Sequence, residues 1–188
     1  MLHRACIITL SLCSSVAIAQ AVLPDVQAIS LLGEELRSGA PSERLLENLA
    51  TARANYENDP DDTDNIIWLG RRIAYTGDYR GAIEVFSEGI EKHPTDARMY
   101  RHRGHRYISV REFHRAIRDF ERAAVLIAQT EDAVEPDGAP NPAGIPVSTL
   151  HSNIWYHLGL AHYLKGDLDL ALQVYEMYRP AIPNDDML

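Results

Sequence analysis

The sequence predicts an all-α protein in which antiparallel helix pairs stack into a superhelix, and three observations carry that prediction. Gly70, Gly104 and Gly159 are each followed at one fixed interval by an alanine (Ala82, Ala116, Ala171) and, a helical turn further on, by an aromatic (Phe86, Phe120, Tyr175). The step from Gly70 to Gly104 recurs from Ala82 to Ala116 and from Phe86 to Phe120, a constant period of the size that marks stacked copies of one supersecondary unit. The one-turn step from alanine to aromatic puts both on one helical face, so each unit reads as two helices meeting at a narrow glycine–alanine contact beside a large apolar ring.

Taken in order, residues 20–62 read as a degenerate leading helical repeat. Val26, Ile29, Leu32 and Leu36 give one helical pattern and Leu45, Leu46, Leu49, Ala52 and Tyr56 a second, with Gly39-Ala40-Pro41-Ser42 between them and Ser42 as the cap. The acidic turn Asp59–Asp64 suits the N-terminus of the next helix better than a calcium loop. Residues 63–96 and 97–130 form the first two full units. Gly77-Asp78 turns the first, whereas the second must bend at Arg111-Glu112 without glycine. The apolar run Ala123–Ile127 and the absence of a proline at Ala128 suggest that the second unit's last helix runs a turn longer than its counterparts. Residues 131–150 are an insertion: the step from Gly104 to Gly159 is far longer than that from Gly70 to Gly104, and the proline- and glycine-rich stretch 135–146 cannot be helical. Ile145 and Val147 suggest that this loop docks on the scaffold beside or over the groove; a floppy connector is the alternative. Ser148 or Thr149 caps the helix carrying Trp155 and Tyr156, and residues 151–188 make the third unit and a short tail, with Gly166-Asp167 at its turn and Pro183 near its end.

These positions resemble the tetratricopeptide repeat, W-x2-L-G-x2-Y, then A-x3-F, then P. The first copy supplies Ile66, Leu69, Gly70, Ile73, Ala82, Phe86 and Pro94, the second Tyr100, Gly104, Tyr107, Ala116 and Phe120, and the third Trp155, Leu158, Gly159, Ala171, Tyr175 and Pro183. Arg103 departs from the pattern in the leucine slot, His162 in the tyrosine slot and Tyr178 in a slot usually small, the last suggesting less regular packing in the final unit. The resemblance implies a right-handed solenoid that binds other proteins and carries no catalytic residues of its own.

The 188 residues carry a formal charge of −9, which argues against a nucleic-acid surface. His3 and Arg4, the apolar stretch to Ala19 and the small-residue exits at Val16–Ala19 and Ala19–Ala21 have the layout of a secretory signal peptide, assigned to residues 1–19; the stretch is short for a membrane span. Cys6 and Cys13 both fall within it, so the mature chain would hold no thiol. The expected location is periplasmic or secreted, in a bacterium, with no membrane span after cleavage.

In tetratricopeptide arrays the first helices line a concave groove. By that resemblance the binding face maps to Arg71 and Tyr75, then Arg98, Arg101 and His105, then Asn153, Tyr156 and Tyr163, with Ile67 and Leu160 alongside. Eight arginines lie between Arg98 and Arg122 against Glu112, Asp119 and Glu121, while Asp25–Asp64 holds ten acidic residues against three arginines. Arginine forks suit carboxylates and tyrosines add apolar area with a polar tip, so an acidic segment or a C-terminal carboxylate is the expected ligand. The lysine and asparagine residues of the chaperone-tail carboxylate clamp are missing, with Ile67 and Arg71 in their place. His102 with His105, and His151, His157 and His162, do not form a ligand set of regular spacing, and no nucleophile elbow, zinc-protease or phosphate-loop motif occurs. No metal, cofactor or catalytic residue is expected.

The leading expectation is therefore a noncatalytic exported adaptor. A small-ligand binder or enzyme with a pocket closed by the 131–150 loop is one alternative. The other is a truncated or self-associating subunit of a longer array, joined through an uncapped C-terminal face bearing Leu172, Val174, Tyr175 and Tyr178.

Overall fold

A computed structural model describes residues 25–135 and 140–178; the expected signal peptide with its two cysteines, Pro183 and the tail, and positions 136–139 of the inserted loop lie outside the described residues. Among the described residues seven helices follow a short hairpin: β1 (Val26–Ile29), β2 (Glu35–Arg37), α1 (Glu43–Asn58), α2 (Thr63–Tyr75), α3 (Tyr79–Lys92), α4 (Ala97–Ser109), α5 (Phe113–Ile127), α6 (Leu150–Lys165) and α7 (Leu168–Tyr178). The fold is an all-α superhelix in which α2/α3, α4/α5 and α6/α7 are the repeated pairs.

The three glycines occupy equivalent seams. A Cβ on Gly70 would lie 2.5 Å from Phe86 Cζ, one on Gly104 2.9 Å from Phe120 Cζ, and one on Gly159 2.5 Å from Tyr175 Cε1. Each ring sits over the missing side chain of its own repeat's glycine, which lets the helices of a pair approach. Phe86 and Phe120 are fully buried, with Ala82 and Ala116 beside them. Burying such a ring is worth about 1.5–3 kcal/mol.

The turns also match by position. Gly77 and Gly166 have φ of 91° and 97°, and Arg111, at the same offset from its repeat's glycine, takes φ 63°. A side chain in this left-handed region costs about 1–2 kcal/mol. The second repeat absorbs that strain with Tyr107 O accepting from Glu112 N at 2.8 Å and Ile108 O from Arg111 N at 3.0 Å. Aspartates cap the helices that follow turns: Asp62 accepts from Asn65 N and Asp78 from Gly81 N, both at 2.8 Å, and Asp96 from Arg98 N at 2.9 Å.

Two departures from the sequence expectation concern the N-terminal region. Val26, Ile29, Leu32 and Leu36 belong to an antiparallel hairpin, not to a helix, so the described residues of this region, 25–62, contribute one helix rather than a helix pair. Gly33, at φ 82°, closes the hairpin turn, and Ser30 Oγ accepts from Leu32 N and Glu34 N. A helix-period spacing of four apolar residues cannot survive a left-handed residue among them. Leu32-Gly33 is thus a hairpin tip with Leu32 in solvent, not a repeat signature. Gln27 reaches from β1 to the start of α3, where its Oε1 accepts from Tyr79 N (2.9 Å) and Arg80 N (3.2 Å). Ser38 donates to Gly77 O at 2.6 Å, so the hairpin is fastened to the first repeat's turn. Ser42 sits at the start of α1, but its side chain makes no capping bond.

Three further expectations need correction. Helix α5 ends seven residues past Phe120 and α3 six past Phe86, a difference of one residue rather than a turn. Among the residues expected on an apolar outer face of α7, Val174 is buried, Tyr175 fills the glycine seam and Tyr178 stacks on Trp155 at 4.8 Å, leaving Leu172 exposed. Tyr178 therefore fits its slot by using a ring from α6. Finally, Ile145 is 59% exposed and does not dock the loop; Glu135 and Ser148 are the buried anchors.

Candidate functional site

The inserted loop begins and ends as a short antiparallel ladder. Val134 pairs with Thr149, Glu135 N donates to Ser148 O at 3.0 Å, and Leu150 N donates to Ala133 O at 2.9 Å. Thr149 then caps α6 through a reciprocal capping box with Ser152. This ladder carries Glu135 inward to the concave face, where its Oε2 accepts from Arg101 Nη2 at 2.7 Å and from Asn153 Nδ2 at 3.1 Å. Buried charges persist when paired and hydrogen-bonded. Arg101 and Glu135 meet both conditions.

With the loop on one side and α2, α4 and α6 on the others, the concave face becomes a cavity of about 350 Å³. Arg71, Tyr75, Arg101, His105, Asn153 and Tyr156, all expected from the sequence, line it together. Arg98 does not. Its guanidinium binds Asp64 (2.6 Å), Asp96 (2.7 Å) and Thr63 (3.0 Å), tying the start of α4 to that of α2 beside a smaller cavity of about 100 Å³. The two aspartates hold its pKa above the ordinary range, with the Asp96 hydrogen bond the largest cause. Tyr163 is 58% exposed and lies outside the pocket.

Sequence reasoning missed His102, Arg106, His157, Glu135 and Ser148 in this lining. Arg106 was legible as the position one turn after His102; the face that reaches the cavity is wider than a single stripe. Glu135 carried no local signal, because only the fold brings the loop back to α4.

Three histidines form the floor. His102 stacks on Phe86 with centroids 5.5 Å apart, His157 on Phe120 at 5.8 Å, and the His105 and His157 rings lie 4.4 Å apart. Burial, then the positive charge of Arg101, pushes His102 well below the ordinary imidazole range and His157 down to about 4. Burial, then Arg106, depresses His105 as well. The His102 hydrogen bond agrees with a neutral ring, since Arg101 Nη1 donates to its Nδ1 at 2.7 Å; His157 Nδ1 donates to Asn153 O at 2.7 Å, a bond that favours the charged ring but is outweighed by burial and Arg101. The charge of the pocket is therefore carried by Arg71, Arg101 and Arg106 against the single carboxylate of Glu135. Among the described residues no group of three or more His, Cys, Asp or Glu side chains is placed to hold a metal ion, and no helix is long and apolar enough to cross a membrane.

Comparison with known proteins matches one of the repeats to a family and the chain to a fold. A family model described as tetratricopeptide repeat matches residues 149–186, a stretch that contains α6 and α7. No curated protein matches the sequence. Among solved structures, the chain is similar to "Crystal structure of MamA" at 21% identity and a TM-score of 0.52, over 68% of this chain and 63% of that one. It is also similar to "MamA RS-1 ArsTM double mutant" at 16% identity and a TM-score of 0.53, over 70% and 62%. The chain thus spans under two thirds of the length of either, and at these identities the likeness is one of fold. With three glycine–aromatic seams at equivalent positions and a family match on the third helix pair, the described helix pairs share the fold of tetratricopeptide-repeat arrays.

Proposed function

We propose that this protein is a noncatalytic, exported scaffold that holds an acidic segment of a partner protein, or its C-terminal carboxylate, in the concave face of its repeats. The observation that carries the reading is the pocket lined by Arg71, Arg101 and Arg106 with one carboxylate among them, in a chain whose net charge is −9. Tyr75 and Tyr156 add apolar area and hydroxyl groups to its lining, a composition suited to peptide recognition. Export and a periplasmic or secreted location rest on the signal-peptide layout of residues 1–19. Titrating a fluorescent Asp/Glu-rich peptide into the protein tests the reading. Binding that weakens with salt and disappears in Arg71→Glu/Arg106→Glu supports it, whereas equal affinity in that variant removes the groove assignment.

A binder of small anions is the second reading, favoured by the enclosure of the groove. Glu135 and Ser148 wall it on the loop side, and a cavity of about 350 Å³ is within the range of small-molecule pockets.

A further inference from the structure

We infer that the pocket contains a seat for a single oxyanion, a carboxylate or phosphate group, at the guanidinium of Arg106. Of the cations around the cavity, Arg101 already holds a carboxylate, that of Glu135. Arg106 differs. Among the described residues no carboxylate or hydrogen-bond acceptor is within bonding distance of it, and its one close partner is the ring of Tyr79, 5.5 Å away. It is half-buried between α4 and the cavity. Its neighbours Arg101 and Arg71 are cationic, and His105 and His157 are neutral, so none of these four offsets its charge.

Cations crowded around one partly desolvated space repel one another more strongly than they would in water, and an anion entering that space relieves the repulsion. Burial, assisted by Arg101 and Arg71, pushes the Arg106 guanidinium down to about 10, the direction expected of a cation short of negative partners. The guanidinium fork is also the side chain best shaped for a planar carboxylate or a phosphate oxygen pair. The inference uses the pocket of the groove reading and does not require that a peptide supply the anion.

The experiment adds inorganic phosphate and, separately, acetate to the wild-type chain, reading thermal unfolding and the arginine side-chain Nε–H resonances. Phosphate is expected to raise the unfolding temperature and to shift the Arg106 resonance most. Arg106→Gln should weaken phosphate binding at least tenfold, while Arg118→Gln, on the exposed side of α5, should leave it unchanged. If Arg106→Gln fails to fold, Arg106→Lys keeps the charge without the fork and should bind several-fold more weakly than wild type. An undisturbed Arg106 resonance in the wild type, or full binding in Arg106→Gln, overturns the proposal. An acidic peptide separates the sources of the anion. Competition between peptide and phosphate assigns the seat to a partner's carboxylate. Phosphate binding without peptide binding keeps the seat and removes the peptide groove. Peptide binding indifferent to phosphate and to Arg106→Gln keeps the groove and removes the seat.

Discussion

Arg101 and Arg103 sit two residues apart on α4, and each is paired with a buried carboxylate, yet they belong to two different regions of the molecule. Arg103 occupies the slot that the repeat pattern gives to leucine. Its Nε and Nη2 hold both oxygens of Asp119 on α5 at 2.8 Å, and its Nη1 donates to Ser87 on α3 at 3.1 Å, so it stitches helices together inside the stack. Arg101 faces the cavity, and its carboxylate comes from the inserted loop. The same pair of groups is a structural rivet in the seam and a lining of the site in the groove. What differs is whether both partners lie within the repeats.

Breaking the rivet should have the largest effect. Asp119→Ala leaves Arg103 without its buried partner and should lower stability by about 3–5 kcal/mol in a denaturant titration. Burial pushes the Asp119 carboxyl up despite Arg103, so desolvation is a real cost of the pair. Arg103→Leu/Asp119→Val, which returns the slot to an apolar residue, should recover most of the loss.

Acid should act next, through the groove. His102, His105 and His157 are held below the ordinary imidazole range in the folded state, His157 at about 4. Because the unfolded chain binds protons that the folded one refuses, stability is complete above about pH 7 and falls as the pH drops from about 6.5 toward 4. The slope approaches about 1.4 kcal/mol per pH unit for each histidine. Unfolding midpoints measured from pH 7 to 5 check this, and His157→Gln should flatten the curve.

Gly104→Ala sharpens the seam side of the comparison. The added methyl meets Phe120, which is fully buried, and a loss of about 1–3 kcal/mol is expected even after the helix-propensity gain. Gly159→Ala should cost less, because Tyr175 is only half-buried and can turn away. Glu135→Ala should cost less than Asp119→Ala, about 1–2 kcal/mol, since Arg101 borders a cavity where water can replace the carboxylate. The smallest effect should be a gain: Arg111→Gly removes a left-handed arginine and should add about 0.5–1 kcal/mol in the same assay.

The seams were legible because close helix contact demands small residues at fixed spacing, and Gly70, Gly104 and Gly159 each find the aromatic that the spacing names. The strained turn at Arg111 was legible for the same reason, as a repeat position lacking its glycine. The hairpin was not, since Val26 to Leu36 satisfies a helical period by count alone and only the left-handed Gly33 and the reach of Gln27 to α3 exclude it. Arg71, Tyr75, Arg101, His105, Asn153 and Tyr156 could be read as one face because each repeat presents the same side of its first helix. Arg98 misled because position gives direction but not partners, and Asp64 and Asp96 claim it. Glu135 lay beyond reach of any periodic argument, its place being set by the ladder between 133 and 150.

The most direct test of the central claim, that the concave face is the recognition surface, is a backbone amide chemical-shift map of the isotope-labelled protein titrated with the acidic peptide. Perturbations concentrated on α2, α4 and α6, strongest around Arg106, Asn153 and Tyr156, are the predicted result. Perturbations confined to α3, α5 and α7, with those residues silent, would contradict it.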